Sequence, residues 1–337
     1  MIAATITAWE ALGCSVKGAS HERSGKPNQD AWKADVADDR SGIVIAVADG
    51  HGHHIHARSD RGSRYAVESA VPLLTQWLSQ QADAGEEAVR ASAKRLPAQL
   101  VEAWRHLVDA DLRRDPANVA EPRTGAGFTT TVDHDRGYLL YGSTLVAAAV
   151  TDKFAACLRI GDGDIMIVAD AHSVRPLWPS QQAAINLTES LCQKDAEARF
   201  RVDVEFFVGS PPELLLLSTD GYSNSFHNPK DFEQVGLDLR AYLARDGIDW
   251  VDTHIETWLK ETSAAGSGDD VTLALAWRRG AASRTTNEEQ GSARRRMAVV
   301  AALAAVVLVA SGLLLRSWIM SHWDEWAGQK TEEPFVP

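Results

Sequence analysis

Two runs in this chain stay apolar for a full strand length and stop at an aspartate followed by glycine: IVIAVAD before Gly50, and LLLLSTD before Gly221. Runs of that kind belong inside a sandwich of sheets, and the first charged group each one offers is a carboxylate. CLRIGD, which brings Asp162 with Asp164 nearby, and GSGDD, which brings Asp269 and Asp270 ahead of VTLALAW, repeat the punctuation, and Asp30 closes the stretch KPNQD. A single aspartate after a strand is an ordinary turn residue. Several of them on adjacent strands would gather carboxylates at one edge of the sandwich.

The remaining strand signals are ITAWEAL, GFTTTVD, YLLYGSTLVAAAV, DIMIVAD and VDVEFFVG. Helical spacing appears at Val67, Val71, Leu74 and Leu78, and again from Val89 and Ala93 through Leu96, Leu100, Trp104 and Leu107. These read as a long antiparallel pair, bent at Pro97. Two later helices, Asp231–Arg245 and one around Val251, Ile255 and Leu259, carry one apolar stripe each. Strands in the centre with one-faced helices outside predict an α+β fold: a four-layer α/β/β/α sandwich of two antiparallel sheets flanked by helix pairs.

Gathered carboxylates repel unless a cation sits among them, and the cation they suit is hard and oxygen-liking, Mg²⁺ or Mn²⁺. Glycine beside the aspartate lets backbone approach such an ion. The blocks GASHERSGKPNQD, VADGHG, YGSTL, RIGDGD, LLLSTDGY and GSGDDVTL, in that order over about residues 13–277, resemble the metal-dependent serine/threonine phosphatases of the protein phosphatase 2C family, bacterial branch.

The resemblance implies a phosphatase that hydrolyses phosphoserine and phosphothreonine through a metal-bridged hydroxide on a dinuclear Mn²⁺ or Mg²⁺ centre. It implies that Asp49 bridges two ions, that the Gly50 carbonyl ligates one, and that Asp220 and Asp269 complete the other's carboxylates. By the same resemblance Asp30 holds water on the metals, His51 is the general acid, and Asp162 is a ligand of a third ion. A histidine near its unperturbed pKa of about 6.5 suits the acid role at neutral pH.

Three positions depart from the family pattern. Gly25 stands where an arginine is common, so Arg23, with Lys26 and His21 as alternatives, is the candidate phosphate-binding cation. Gln29 replaces a glutamate. Asn224 replaces an acidic residue linked to the third ion, which leaves two ions supported and the third unsupported. These departures motivate a second reading, a pseudophosphatase that binds phosphoproteins without turnover.

The four histidines of VADGHGHHIH (47–56) also suggest the HxHxDH signature of metallo-β-lactamase-type hydrolases, but its aspartate falls on Ile55, which cannot ligate. His53, His54 and His56 are read as loop or first-turn residues.

Composition bounds the partners. A formal net charge of −12 excludes a global nucleic-acid footprint. Cys14, Cys157 and Cys192 form neither a disulfide framework nor a CxxC site. The N-terminus reads as lacking a signal peptide.

Residues 297–315, MAVVAALAAVVLVASGLLL, carry no charge and span roughly 28 Å as a helix, which predicts one transmembrane segment. Arg294–Arg296 precede it, and a tail at 316–337 with Trp318, Trp323 and Trp326 follows on the far side. Positive-inside logic puts the 1–278 catalytic domain in the cytoplasm of a single-pass inner- or plasma-membrane protein, joined through a basic flexible linker at 279–296. The expected partners are phosphorylated cytoplasmic proteins, including a serine/threonine kinase and its substrates, and the membrane itself.

Overall fold

The apolar runs form strands that alternate between two dry interfaces. In the computed structural model, which describes residues 9–37, 42–116, 134–178 and 188–279, the chain runs through β1 (Trp9–Val16), α1 (Ala19–Ser24), β2 (Asp30–Val36) and β3 (Gly42–Asp49). It continues through α2 (Ser59–Ser79), α3 (Glu86–Ala93), α4 (Leu96–Arg114), α5 (His134–Leu139), β4 (Leu145–Thr151), β5 (Phe154–Ile160), β6 (Asp164–Val168) and β7 (Val174–Pro176). The remainder is α6 (Ala196–Arg199), β8 (Arg201–Phe206), β9 (Leu214–Ser218), α7 (Asp220–Ser223), α8 (Pro229–Asp246), α9 (Ile248–Ala265) and β10 (Val271–Arg278). The chain divides into two units, Met1–Ala282 and Ser283–Pro337, and every described residue lies in the first.

Two five-stranded antiparallel sheets result, ordered β1-β10-β9-β6-β7 and β2-β3-β4-β5-β8. The period of two sorts the side chains of each central strand. Ile43, Ile45 and Val47 of β3 face the other sheet, meeting Leu215 and Leu217 of β9, while Val44, Ala46 and Ala48 turn outward under α2. Alanine dominates that outer face, at Ala46, Ala48, Ala147, Ala149 and Ala156, so a helix can lie close upon it. On the second sheet, Leu214 and Leu216 turn toward the stripe Leu239, Leu243, Val251, Ile255 and Leu259 of α8 and α9. Each buried Leu, Ile or Val contributes about 1.5–3 kcal/mol, so the three stacked interfaces dominate the stability of the unit. Four layers, helices outside and sheets inside, are therefore observed.

Local elements differ from expectation in four places. YLLY, read as the start of a strand, is the end of α5 and the turn after it, and the strand begins only at Leu145. Pro97 does not bend a long helix. The helix breaks at Lys94 and Arg95, and Pro97 sits in the first turn of α4, where its missing N–H has no partner to lose. Asp30 opens a strand rather than closing one, because AWKADV continues as β2. The three-residue β7 has no counterpart in the sequence reading.

GFTTTVD, the linker from residue 280 onward, the membrane segment and the tail lie outside the described residues. Among the described residues no helix is long and apolar enough to cross a membrane.

Candidate metal centre and active site

The antiparallel register brings the aspartates to one edge. Asp30, first in β2, is paired directly with Asp49, last in β3. β9 ends at Ser218, and Asp220 opens α7 two residues later. Asp269 precedes β10, which pairs with β9, and Asp162 lies in the turn between β5 and β6.

Burial and the other carboxylates at this edge dominate the electrostatics. Asp49 is held well above the usual carboxylate range, first by burial and then by Asp30, Asp220, Asp269 and Asp162. Burial pushes Asp30 up to about 8 against the hydroxyls of Thr219 and Thr272, with Asp270 and Asp220 adding to the rise. Asp220 is pushed up to about 7 by burial, Asp162, Asp269 and Asp164. A set of carboxylates that raise one another in a dry edge is the donor set a divalent cation stabilises, so these residues fit a hard-metal centre.

The scaffold behind the carboxylates is explicit. Thr219 Oγ1 donates to Asp30 Oδ2 at 2.7 Å. Asp49 is clamped through its backbone, its N–H donating to Thr144 Oγ1 at 3.0 Å and its carbonyl accepting the Thr144 N–H at 2.8 Å. The Gly-Ser-Thr block thus acts as a positioner of Asp49. Gly50 is squeezed between backbones: a Cβ there would lie 2.5 Å from the Ser59 carbonyl oxygen and 2.7 Å from that of Gln29. Glycine is required at this position by packing, independently of any ion.

His51 hangs from this scaffold by its N–H, which donates to the Gly142 carbonyl at 3.1 Å, and its ring lies 5.0 Å from that of His56. Burial, with His56 beside it, lowers its pKa to about 4. That corrects the expectation of an unperturbed histidine: the imidazole is neutral at pH 7.

Gln29 does more than replace an acid. Its carbonyl accepts the Gly50 N–H at 3.0 Å, and its side-chain amide donates to Ser59 Oγ and to the His51 carbonyl, the latter at 3.4 Å. Among the described residues its Oε1 is buried without a hydrogen-bond partner.

Other candidates are placed differently. Arg23 is exposed in the last turn of α1, and among the described residues no hydrogen bond or ion pair joins it to the carboxylates. Lys26 Nζ donates to the Gly52 carbonyl at 3.1 Å, next to the Asp-Gly-His turn. Asn224 Nδ2 donates to Asp220 Oδ2 at 3.0 Å, and Asp162 Oδ2 accepts from Thr188 Oγ1 at 2.9 Å, so the Asn224 position offers an amide donor where a third ion would want charge. The rings of His53 and His54 lie 4.2 Å apart and tilted to each other in the exposed loop, with exposed Ile55 after them.

Asp270 was missed. It is 3% exposed and accepts N–H groups from Gly18 and Gln29. The signal available was the doublet Asp269-Asp270, in which a strand's alternation forces one carboxylate inward.

A four-layer sandwich with carboxylates converging on one edge defines a metal-dependent hydrolase. The sequence matches the family model of protein phosphatase 2C over residues 17–260. The chain belongs to the protein phosphatase 2C family and is a metal-dependent serine/threonine phosphatase. No curated protein matches it by sequence.

Solved structures share the fold at low identity. The serine/threonine phosphatase Stp1 from Staphylococcus aureus is 13% identical, with 82% of this chain and 97% of that chain covered and a TM-score of 0.52. A bacterial serine phosphatase is also 13% identical, with 80% and 98% covered and a TM-score of 0.51. The catalytic domain of the serine threonine protein phosphatase PstP, in complex with two manganese ions, is structurally less similar, 14% identical with 80% and 97% covered, and its TM-score of 0.48 does not add to the fold assignment.

Proposed function

We propose that this chain removes phosphate from phosphoserine and phosphothreonine on cytoplasmic proteins, at a two-cation centre held by Asp49, the Gly50 carbonyl, Asp220 and Asp269. The observation that carries the reading is the convergence of Asp30 and Asp49 at the ends of β2 and β3 with Asp220 after β9 and Asp269 before β10, at one edge of the sandwich. Bound Mn²⁺ or Mg²⁺ supplies a deprotonated water at neutral pH and offsets phosphoryl charge.

The chain's own residues do the rest. Asp30 orients water from its place opposite Asp49. The Thr144 clamp and the Gln29 carbonyl hold the Asp49-Gly50 turn rigid, which matters because a displacement of about 1 Å can cost 100-fold in rate. His51, neutral in the free protein, presents its imidazole to the leaving oxygen. The negative charge of a bound phosphoester raises its affinity for the proton it gives up.

The same proposal includes the membrane. The charge-free run 297–315, flanked by Arg294–Arg296, anchors the catalytic unit on the cytoplasmic side and concentrates it near membrane-bound kinases and their substrates.

Phosphate release from a phosphothreonine peptide by the full chain tests the chemistry. Turnover should require Mn²⁺ or Mg²⁺, stop with EDTA, and fall on the order of 100-fold or more in Asp49→Asn. A folded, Mn²⁺-loaded protein without turnover would replace this reading with the binding-module one. Fractionation of cells tests the anchor: the full chain should sediment with membranes, and deletion of residues 297–315 should release it.

A further inference from the structure

Where α1 meets the loop before β10, His21 of the helix and Asp270 of the loop form a pair that the two-cation reading leaves unused. Asp270 Oδ1 accepts the Gly18 N–H at 2.6 Å, while Oδ2 accepts the Gln29 N–H at 2.6 Å and His21 Nδ1 at 2.9 Å. Those contacts set the tautomer of His21: Nδ1 carries the proton directed at Asp270, and Nε2 is left with its lone pair. The residue is 8% exposed, and its Nε2 has no hydrogen-bond partner among the described residues. It faces Asp269 Oδ1 at 3.8 Å.

That distance is too long for a hydrogen bond. It suits two donor atoms sharing an ion, since ligands each about 2.1 Å from one cation stand about 3–4 Å apart. Among the described residues, His21, Asp269 and Asp270 form the one group of three metal-capable side chains whose ligand atoms all lie within 4.8 Å of one another.

The approach is built into the backbone, because a Cβ at Gly18 would lie 2.2 Å from the Asp269 carbonyl carbon. Asp269 Oδ1 accepts the Asp270 N–H at 2.9 Å, which still leaves a lone pair and the whole of Oδ2. A carboxylate that holds one imidazole nitrogen while the other faces a metal ligand is the usual outer partner of a metal-bound histidine.

We propose that His21, through Nε2, is a nitrogen ligand to the cation bound at Asp269, with Asp270 as its orienting carboxylate. The inference rests on the two-cation reading and deepens it by naming the ion. Imidazole suits transition metals, whereas Mg²⁺ takes oxygen ligands almost alone, so the cation at Asp269 is Mn²⁺ in preference to Mg²⁺.

Pulsed electron paramagnetic resonance of the full chain loaded with Mn²⁺ reads this directly. An imidazole nitrogen modulation is expected in the native protein. It should persist in His51→Gln and His56→Gln and disappear in His21→Gln. Titration should show Mn²⁺ affinity lowered roughly 10- to 100-fold in His21→Gln with Mg²⁺ affinity unchanged. Asp270→Asn should keep the nitrogen signal but weaken Mn²⁺ roughly tenfold.

Circular dichroism confirms that each variant folds. Mn²⁺ binding with turnover but without the nitrogen signal, or survival of the signal in His21→Gln, overturns the role of His21 alone. Failure of the native chain to bind Mn²⁺ at all overturns both this role and the two-cation reading.

Discussion

At His51 the environment decides what kind of proton donor is available. Burial holds the ring neutral at pH 7, its pKa lowered to about 4, so the proton it gives must be one whose affinity the substrate's own charge has raised. Such assistance matters most when the leaving group is a poor one. His51→Gln should therefore lower kcat for a phosphothreonine peptide by roughly 100-fold, with KM little changed. The same variant should lose far less activity on p-nitrophenyl phosphate, whose phenolate leaves unaided, and steady-state kinetics on both substrates checks the pair. Equal losses on both would exclude protonation of the leaving group as the role of His51. Single residues were unevenly legible in the sequence. Asp49, Asp220 and Asp269 stood out because each is a carboxylate at, or two residues from, the end of an apolar strand. The structural roles of Gln29 and Asp270 did not, because they lie in backbone N–H and carbonyl groups brought together from residues far apart in sequence.

Between elements, the stretch that carries His51 is tied down by a polar knot joining α2, α4 and the loop before β4. Asp111 of α4, 2% exposed, accepts from Arg61 Nη1 at 2.9 Å, from the Tyr141 hydroxyl at 2.7 Å and from Arg114, while Arg58 Nη1 donates to the Tyr141 oxygen at 2.7 Å. Burial alone would raise the Asp111 pKa, but the hydrogen bonds from Tyr141, Arg61, Tyr65 and Arg114 win and hold it well below the usual carboxylate range. A folded-state pKa below the unfolded value of about 3.9 gives stability that is present above pH 4 and lost as pH falls further. Asp111→Ala should cost about 3 kcal/mol by urea denaturation at pH 7, and the deficit should shrink as the pH is lowered below 4. Elements with one strong period were legible: the stripes of α2, α8 and α9 and the apolar runs of β3, β5, β9 and β10. YLLY misled because tyrosine and leucine favour strands in general, whereas here a turn is needed to bring the Leu139 carbonyl under His56 Nδ1. Pro97 misled because a proline reads alike as a bend and as a helix start until the preceding break is known.

For the whole molecule, the edge that makes catalysis possible works against folding. The folded-state pKa values of Asp30, Asp49 and Asp220 are raised, Asp30 to about 8 and Asp220 to about 7, so these groups bind protons more tightly folded than unfolded. Groups shifted upward contribute stability that is full below about pH 4 and lost as pH rises through 7 and 8. Protein stripped of metal with EDTA should therefore lose the contribution of this edge between pH 5 and pH 8, and Mn²⁺ should raise Tm more at pH 8 than at pH 5, because the cation takes over the role of the protons. Removing one charge from the edge relieves the same repulsion. Asp220→Asn should raise the Tm of the metal-stripped protein at pH 8, abolish most of the Mn²⁺-dependent rise, and lose turnover on a phosphothreonine peptide. Calorimetry with and without Mn²⁺ at the two pH values measures all three effects beside the activity assay. If Asp220→Asn instead lowered the metal-free Tm, the residue would be acting as a structural cap on α7, and the cost of keeping the carboxylates together would have to lie elsewhere on the edge.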